Sequence, residues 1–63
     1  MPLIHIEIME GRKEEKIEEL IVEVTQTVEK VLDAPKENIR VIIQEVPKTH
    51  WGIGGVSAKK SGR

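Results

Sequence analysis

Four residues carry most of the chemical potential of this chain: Pro2, Arg12, Arg40 and Trp51. Pro2 directly follows Met1, and a residue this small in second place lets the initiator methionine be removed. A proline so exposed has a free secondary amine. Inside a chain its nitrogen is an inert amide; at a terminus it is a base or nucleophile whose ring fixes its direction. The competing reading is that proline after methionine is common and carries no function. A guanidinium grips a carboxylate through a two-pronged fork, so Arg12 and Arg40 together suit a small dicarboxylate. The competing reading for either one is a surface arginine paired with nearby glutamates. Trp51 is the lone aromatic and lies in a glycine-rich stretch, away from any core-facing pattern. It is read either as a plug in a subunit interface or as an apolar wall beside a reactive group. Such a wall, with two guanidinium groups, disfavours a charged ammonium and lowers the pKa of the amine, keeping it able to accept a proton near neutrality.

Other signals are weaker. Gly52-Ile53-Gly54-Gly55 does not lie between a strand and a helix, so it does not read as a phosphate-binding loop. His5 and His50 are far apart and lack ligand spacing, and no metal site is expected. No Ser-His-Asp arrangement is legible. Lys59 and Lys60 read as part of a solvated, frayed tail running to Arg63.

The elements that must hold these residues follow from hydrophobic periodicity. Ile4, Ile6 and Ile8 alternate with His5 and Glu7, giving a strand over Leu3–Met9 with one fully apolar face. Glu10-Gly11 breaks it. Ile17, Leu20, Ile21, Val24, Val28, Val31 and Leu32 recur at spacings of three and four, predicting an amphipathic helix over residues 13–32 with that stripe buried. Glu14 and Glu15 suit the positive end of its dipole. Asp33-Ala34-Pro35 stops it, because proline disfavours helical geometry in the residue before it. Lys36-Glu37-Asn38 reads as a turn, and residues 39–46 as a second strand closed by Pro47. In that strand Val41, Ile42 and Ile43 are consecutive, so both faces are apolar and both require cover. Strand, helix, strand with short links is a β-α-β unit with parallel strands and a right-handed crossover. In a parallel pair Arg40 comes close to Pro2, whereas Arg12 falls at the far end and needs another subunit to join them. The segment from Thr49 to Val56 reads as a loop or hairpin.

Composition bounds the rest. The chain has 63 residues, 38% of them hydrophobic, and no cysteine, so neither a disulfide framework nor a thiolate metal site is available. Ten Lys and Arg against 11 Asp and Glu give a net charge of −1, which excludes a strongly basic nucleic-acid binder and an acidic disordered tail. No apolar run approaches the ~20 residues of a membrane span. Met1-Pro2-Leu3 does not begin a secretory leader, so a cytoplasmic location is expected. A chain this short forms one domain, 1–63, and buries little core of its own. Small domains compensate with disulfides, metals or partner subunits. The single helix covers only one face of a two-stranded sheet, so the cover for the other is expected from further copies of the chain.

Taken together, these features resemble the 4-oxalocrotonate tautomerase family. The resemblance rests on Pro2 after Met1, Glu10-Gly11-Arg12, Leu32-Asp33-Ala34-Pro35, Ile39-Arg40-Val41-Ile42-Ile43 and His50-Trp51-Gly52-Ile53-Gly54-Gly55, and it runs over essentially the whole chain. It implies an α+β fold: two parallel strands, one crossover helix and a C-terminal hairpin, assembled into an oligomeric sheet. It implies a homohexamer built as a trimer of dimers, with a homodimer or homotrimer as alternatives. It also implies a cofactor-free enol–keto isomerase acting on 2-hydroxymuconate-like dienol diacids.

Carried over residue by residue, the resemblance makes Pro2 the general base that moves a proton from the 2-hydroxyl to a distant carbon. Arg40 holds the 2-oxygen and its adjacent carboxylate. Arg12 holds the far carboxylate and draws electron density toward it. Trp51 supplies the apolar wall where better-known members carry Phe. Members that hydrate halogenated acrylates place a carboxylate in the last loop and an extra arginine after strand one. The matching positions here are Ile53 and Met9, both apolar, which favours tautomerisation and adds them to the substrate-binding set. Two alternatives remain: a lyase or hydratase that uses Pro2 covalently, and a non-catalytic oligomeric module.

Overall fold

The computed structural model describes residues 2–63. Its first element, β1 (Leu3–Met9), pairs in parallel with β2 (Arg40–Val46), with Leu3 opposite Arg40 and Met9 opposite Val46. Between them runs α1 (Glu14–Leu32). A 3-10 turn over Lys36–Asn38 leads into β2, and a second over Lys48–His50 follows it. The chain ends in a small antiparallel hairpin of β3 (Gly52–Ile53) and β4 (Val56–Ser57).

The period-two pattern of β1 is realised as expected. Ile4, Ile6 and Ile8 are half-buried, together with Val41 and Ile43 of β2, on the helix-covered face. The helix answers with Ile17, Leu20, Ile21, Val24 and Val28, all half-buried. Its first turn carries Glu14 and Glu15, and its last turn Lys30, each of the sign that the helix dipole favours. Lys13 occupies the N-cap position with extended backbone and makes no side-chain cap. The helix stops at Asp33, which adopts a left-handed conformation with φ 55°. Ala34 and Pro35 then carry the chain out of helical geometry.

Three expectations are corrected. Val31 and Leu32 do not extend the buried stripe; they are 70% and 61% exposed. The 19-residue helix is roughly 28 Å long at ~1.5 Å per residue, against roughly 20 Å for the seven-residue strands, so the strands are too short to cover all of its turns. Strand two begins at Arg40, since Ile39 closes the 3-10 turn through its N–H to the carbonyl of Lys36 and is buried there. The tail does not fray. Lys59 N–H donates to the carbonyl of Lys48, Ser61 N–H to Ser57 and Arg63 N–H to Ala58, which folds the last residues back on themselves.

The resulting body is thin, 42 × 24 × 14 Å, one helix layer on one strand layer. Among the described residues only Ile39 and Ala58 are buried. The radius of gyration is 14.6 Å, against about 11 Å for a compact chain of this length. The accessible surface is 5035 Å², against about 4,100 Å² for a compact monomer of this mass. The face of the sheet away from the helix is open: Leu3 is 62% and Ile42 48% exposed, with His5, Glu7 and Gln44 beside them.

Candidate active site

Pro2 immediately precedes β1 and is half-buried. Its carbonyl accepts the backbone N–H of Arg40 at 3.0 Å, which adds a rung below the Leu3–Arg40 pair. The first residue of β2 is thus locked beside Pro2, as the parallel reading requires. Arg40 is exposed, and its Nη1 donates to the carbonyl of Glu37 at 2.8 Å. The 3-10 turn therefore aims the guanidinium by a backbone oxygen and leaves its other donors available. The lone-arginine alternative, pairing with local glutamates, does not apply: among the described residues the one ion pair is Lys16–Glu19.

Arg12 is held in the same manner at the opposite end. Its Nη1 donates to the carbonyl of Met9 at 3.0 Å, across Gly11, whose φ of 123° is a conformation that L side chains rarely adopt. β1 has seven residues, and at ~3.3 Å each its ends lie roughly 20 Å apart. Within one chain, then, Arg40 joins Pro2 and Arg12 does not. Met9 is half-buried at the Arg12 end.

The hairpin carries the last two candidates. Trp51 is half-buried, follows the second 3-10 turn, and its carbonyl accepts the N–H of Ala58 at 2.7 Å. Ile53 lies in β3 and is 39% exposed. Gly54 and Gly55 form the two-residue turn between Ile53 and its partner Val56, with φ of 60° and 87°. Positive φ at both positions matches the hairpin turn whose twist suits the flanking strands.

Two contributors were not read from the sequence. Glu37 acts through its main-chain oxygen, which no side-chain pattern signals. Leu3 pairs with Arg40 and is left 62% exposed, so it presents an apolar surface at the Pro2 end of the sheet; its place opposite Arg40 follows only from the register. His5 bonds Gln44 on the open face at 3.2 Å, and His50 lies in the second 3-10 turn. Among the described residues no cluster of His, Asp and Glu forms a metal-binding group. Among the described residues no helix is long and apolar enough to cross a membrane.

The family model described as "Tautomerase enzyme" matches residues 2–61. The chain belongs to the tautomerase family. It is 54% identical, over the full length of both chains, to a 2-hydroxymuconate tautomerase of Stutzerimonas stutzeri. Among solved structures it is similar to a 4-oxalocrotonate tautomerase isozyme from Methylibium petroleiphilum, with a TM-score of 0.93 and 53% identity over 98% of this chain and 100% of that one. It is also similar to a heterohexamer 4-oxalocrotonate tautomerase from Chloroflexus aurantiacus, with a TM-score of 0.90 and 40% identity over 95% and 97% of the two chains. This tautomerase chain thus has the α+β architecture that the sequence resemblance implied, down to the C-terminal hairpin.

Proposed function

We propose that residues 1–63 form a single tautomerase domain, a cofactor-free isomerase that converts 2-hydroxymuconate-like dienol diacids to the conjugated 2-oxo enone. The observation that carries this reading is the pairing of Pro2 with Arg40 at one end of the parallel sheet, in a chain 54% identical to a named 2-hydroxymuconate tautomerase. Pro2, once freed as an amine, takes the 2-hydroxyl proton. The O–H electrons form the new carbonyl, the diene electrons shift along the conjugated chain, and the proton is returned to the distant carbon. Arg40 binds the 2-oxygen and the adjacent carboxylate, where negative charge develops. Arg12 binds the far carboxylate and favours electron density at that end. Trp51, Met9 and Ile53 supply apolar walls, and with apolar residues at the last two positions the reaction is proton transfer rather than hydration.

The roughly 20 Å between the Pro2 and Arg12 ends of one β1 exceeds a small diacid, so the site draws Arg12 from another protomer. The open sheet face, the excess surface and the extended shape support the same conclusion. The assembly we propose is a homohexamer, a trimer of dimers. A homodimer or homotrimer is distinguished from it by the mass of the particle in solution.

The test is ketonisation of 2-hydroxymuconate by protein whose intact mass shows loss of Met1, compared with Pro2→Ala. The processed protein turns over and the variant loses most of its rate. Equal rates sink the proline mechanism, and borohydride trapping of an aldehyde on Pro2 would shift the reading to covalent lyase chemistry.

A further inference from the structure

The charges of this chain are sharply divided. All 11 acidic residues lie in residues 1–46, against six Lys and Arg, a net −5. Residues 47–63 contain Lys48, Lys59, Lys60 and Arg63 and no acid, a net +4. The division also falls between elements, with five of the acids on the first half of α1 and the four cations of residues 47–63 outside it. On the helix, Glu14, Glu15, Glu18, Glu19 and Glu23 are all exposed. The cationic segment is gathered rather than trailing: Lys59 N–H reaches the carbonyl of Lys48 at 3.2 Å, and Ala58 N–H reaches the carbonyl of Trp51 at 2.7 Å. Ala58 is fully buried and anchors the return, and Lys60 N–H is received by Ser57 Oγ at 3.2 Å. Lys48, Lys59 and Lys60 are exposed around the strand-turn unit that carries Trp51. With Thr49 and Ser57, Lys59 and Lys60 line a groove on that unit.

We propose that the folded-back tail is an electrostatic guide for doubly charged substrates: Lys59 and Lys60, backed by Lys48 and Arg63, concentrate a dianion at the Trp51 side of the site while the glutamate-lined helix repels it. The proposal rests on the reading of Trp51 as a wall of a diacid site. A patch of one sign beside a low-dielectric wall raises the local concentration of the opposite sign, and the effect falls steeply with salt. The backbone hydrogen bonds explain why the tail is held at all, since a solvated tail would spread the same charges over a large volume. The guide acts on capture of the dianion and not on the proton transfer, so its loss falls on KM.

Trp51 is the only tryptophan, so its fluorescence reports binding without turnover. The probes are adipate, a dianion that cannot tautomerise, and hexanoate, its monoanionic counterpart. Wild type, Lys59→Gln/Lys60→Gln and Lys16→Gln/Lys30→Gln are titrated at about 10 mM and about 200 mM NaCl, between which the screening length shortens from ~30 to ~7 Å. All four lysines are exposed, and both double variants change net charge equally. The tail variant weakens adipate binding on the order of fivefold at low salt and little at high salt, with a smaller effect on hexanoate; the helix variant leaves adipate near wild type. An equal loss in the two variants, an unchanged salt dependence, or no effect of adipate on Trp51 overturns the proposal. Adipate binding guided by the tail in a protein that does not ketonise 2-hydroxymuconate supports the guide and rejects the proposed reaction.

Discussion

The N–H of Arg40 donates to the carbonyl of Pro2 at 3.0 Å, while the Arg40 guanidinium is aimed by the carbonyl of Glu37 at 2.8 Å. One residue therefore does two separable things: its backbone fixes the position of Pro2, and its side chain is free to bind an anion. Replacing the side chain leaves the backbone rung intact. Arg40→Ala lowers kcat/KM for 2-hydroxymuconate at least tenfold, equivalent to about 1.4 kcal/mol, with an unchanged circular dichroism spectrum. Arg40→Lys does not restore the rate, because an ammonium cannot supply the two-pronged geometry.

Arg12 tests the shared site. Pro2→Ala and Arg12→Ala homo-oligomers are each nearly inactive. When the two chains are co-expressed in equal amounts, sites form that take Pro2 from one chain and Arg12 from the other. With random mixing, activity returns to about a quarter of wild type. If the mixed oligomers stay as inactive as the parents, one chain supplies both residues and the subunit-spanning site is wrong.

The open face gives a test of assembly. Ile42→Lys places a charge at the centre of a face that holds 62%-exposed Leu3 and 48%-exposed Ile42. Covered by another subunit, that lysine would be an unpaired buried cation. The variant sediments as a smaller particle than wild type and loses activity on dilution. A wild-type-sized particle would mean that this face is not an interface.

The hairpin turn has little tolerance for side chains. A Cβ at Gly54 or Gly55 meets nothing within 4 Å, so space is not the constraint. The constraint is φ, at 60° and 87°. Gly55→Ala costs roughly 1–2 kcal/mol from the backbone alone. Denaturant unfolding reads that loss, and KM rises because Trp51 and Ile53 are carried on the same hairpin.

Lys13 offers a stabilising change. It holds the N-cap position with φ −69° and ψ 152° and no side-chain cap. Lys13→Ser supplies an oxygen to a free N–H of the first turn and stabilises the helix by about 1 kcal/mol. The gain appears in the denaturant midpoint with no change in slope.

The sequence by itself determined the elements, and through them much of the site. Period two in Ile4, Ile6 and Ile8, and spacings of three and four in Ile17 to Val28, are local properties that hold whatever surrounds them. From a parallel β-α-β unit it follows directly that Arg40 lies beside Pro2 and Arg12 at the far end. Local patterning could not say where cover stops. Val31 and Leu32 continue the helical stripe, and only the length of the two strands beneath them left them exposed. Nor could it say what a backbone does at a distance. The Glu37 carbonyl that aims Arg40, and the Lys48 and Trp51 carbonyls that hold the tail, act through groups present in every residue. Their partners are chosen by the path of the chain, so only the tertiary structure decided that the backbone carrying Lys59 and Lys60 folds back onto the Lys48–Trp51 segment instead of trailing in solvent.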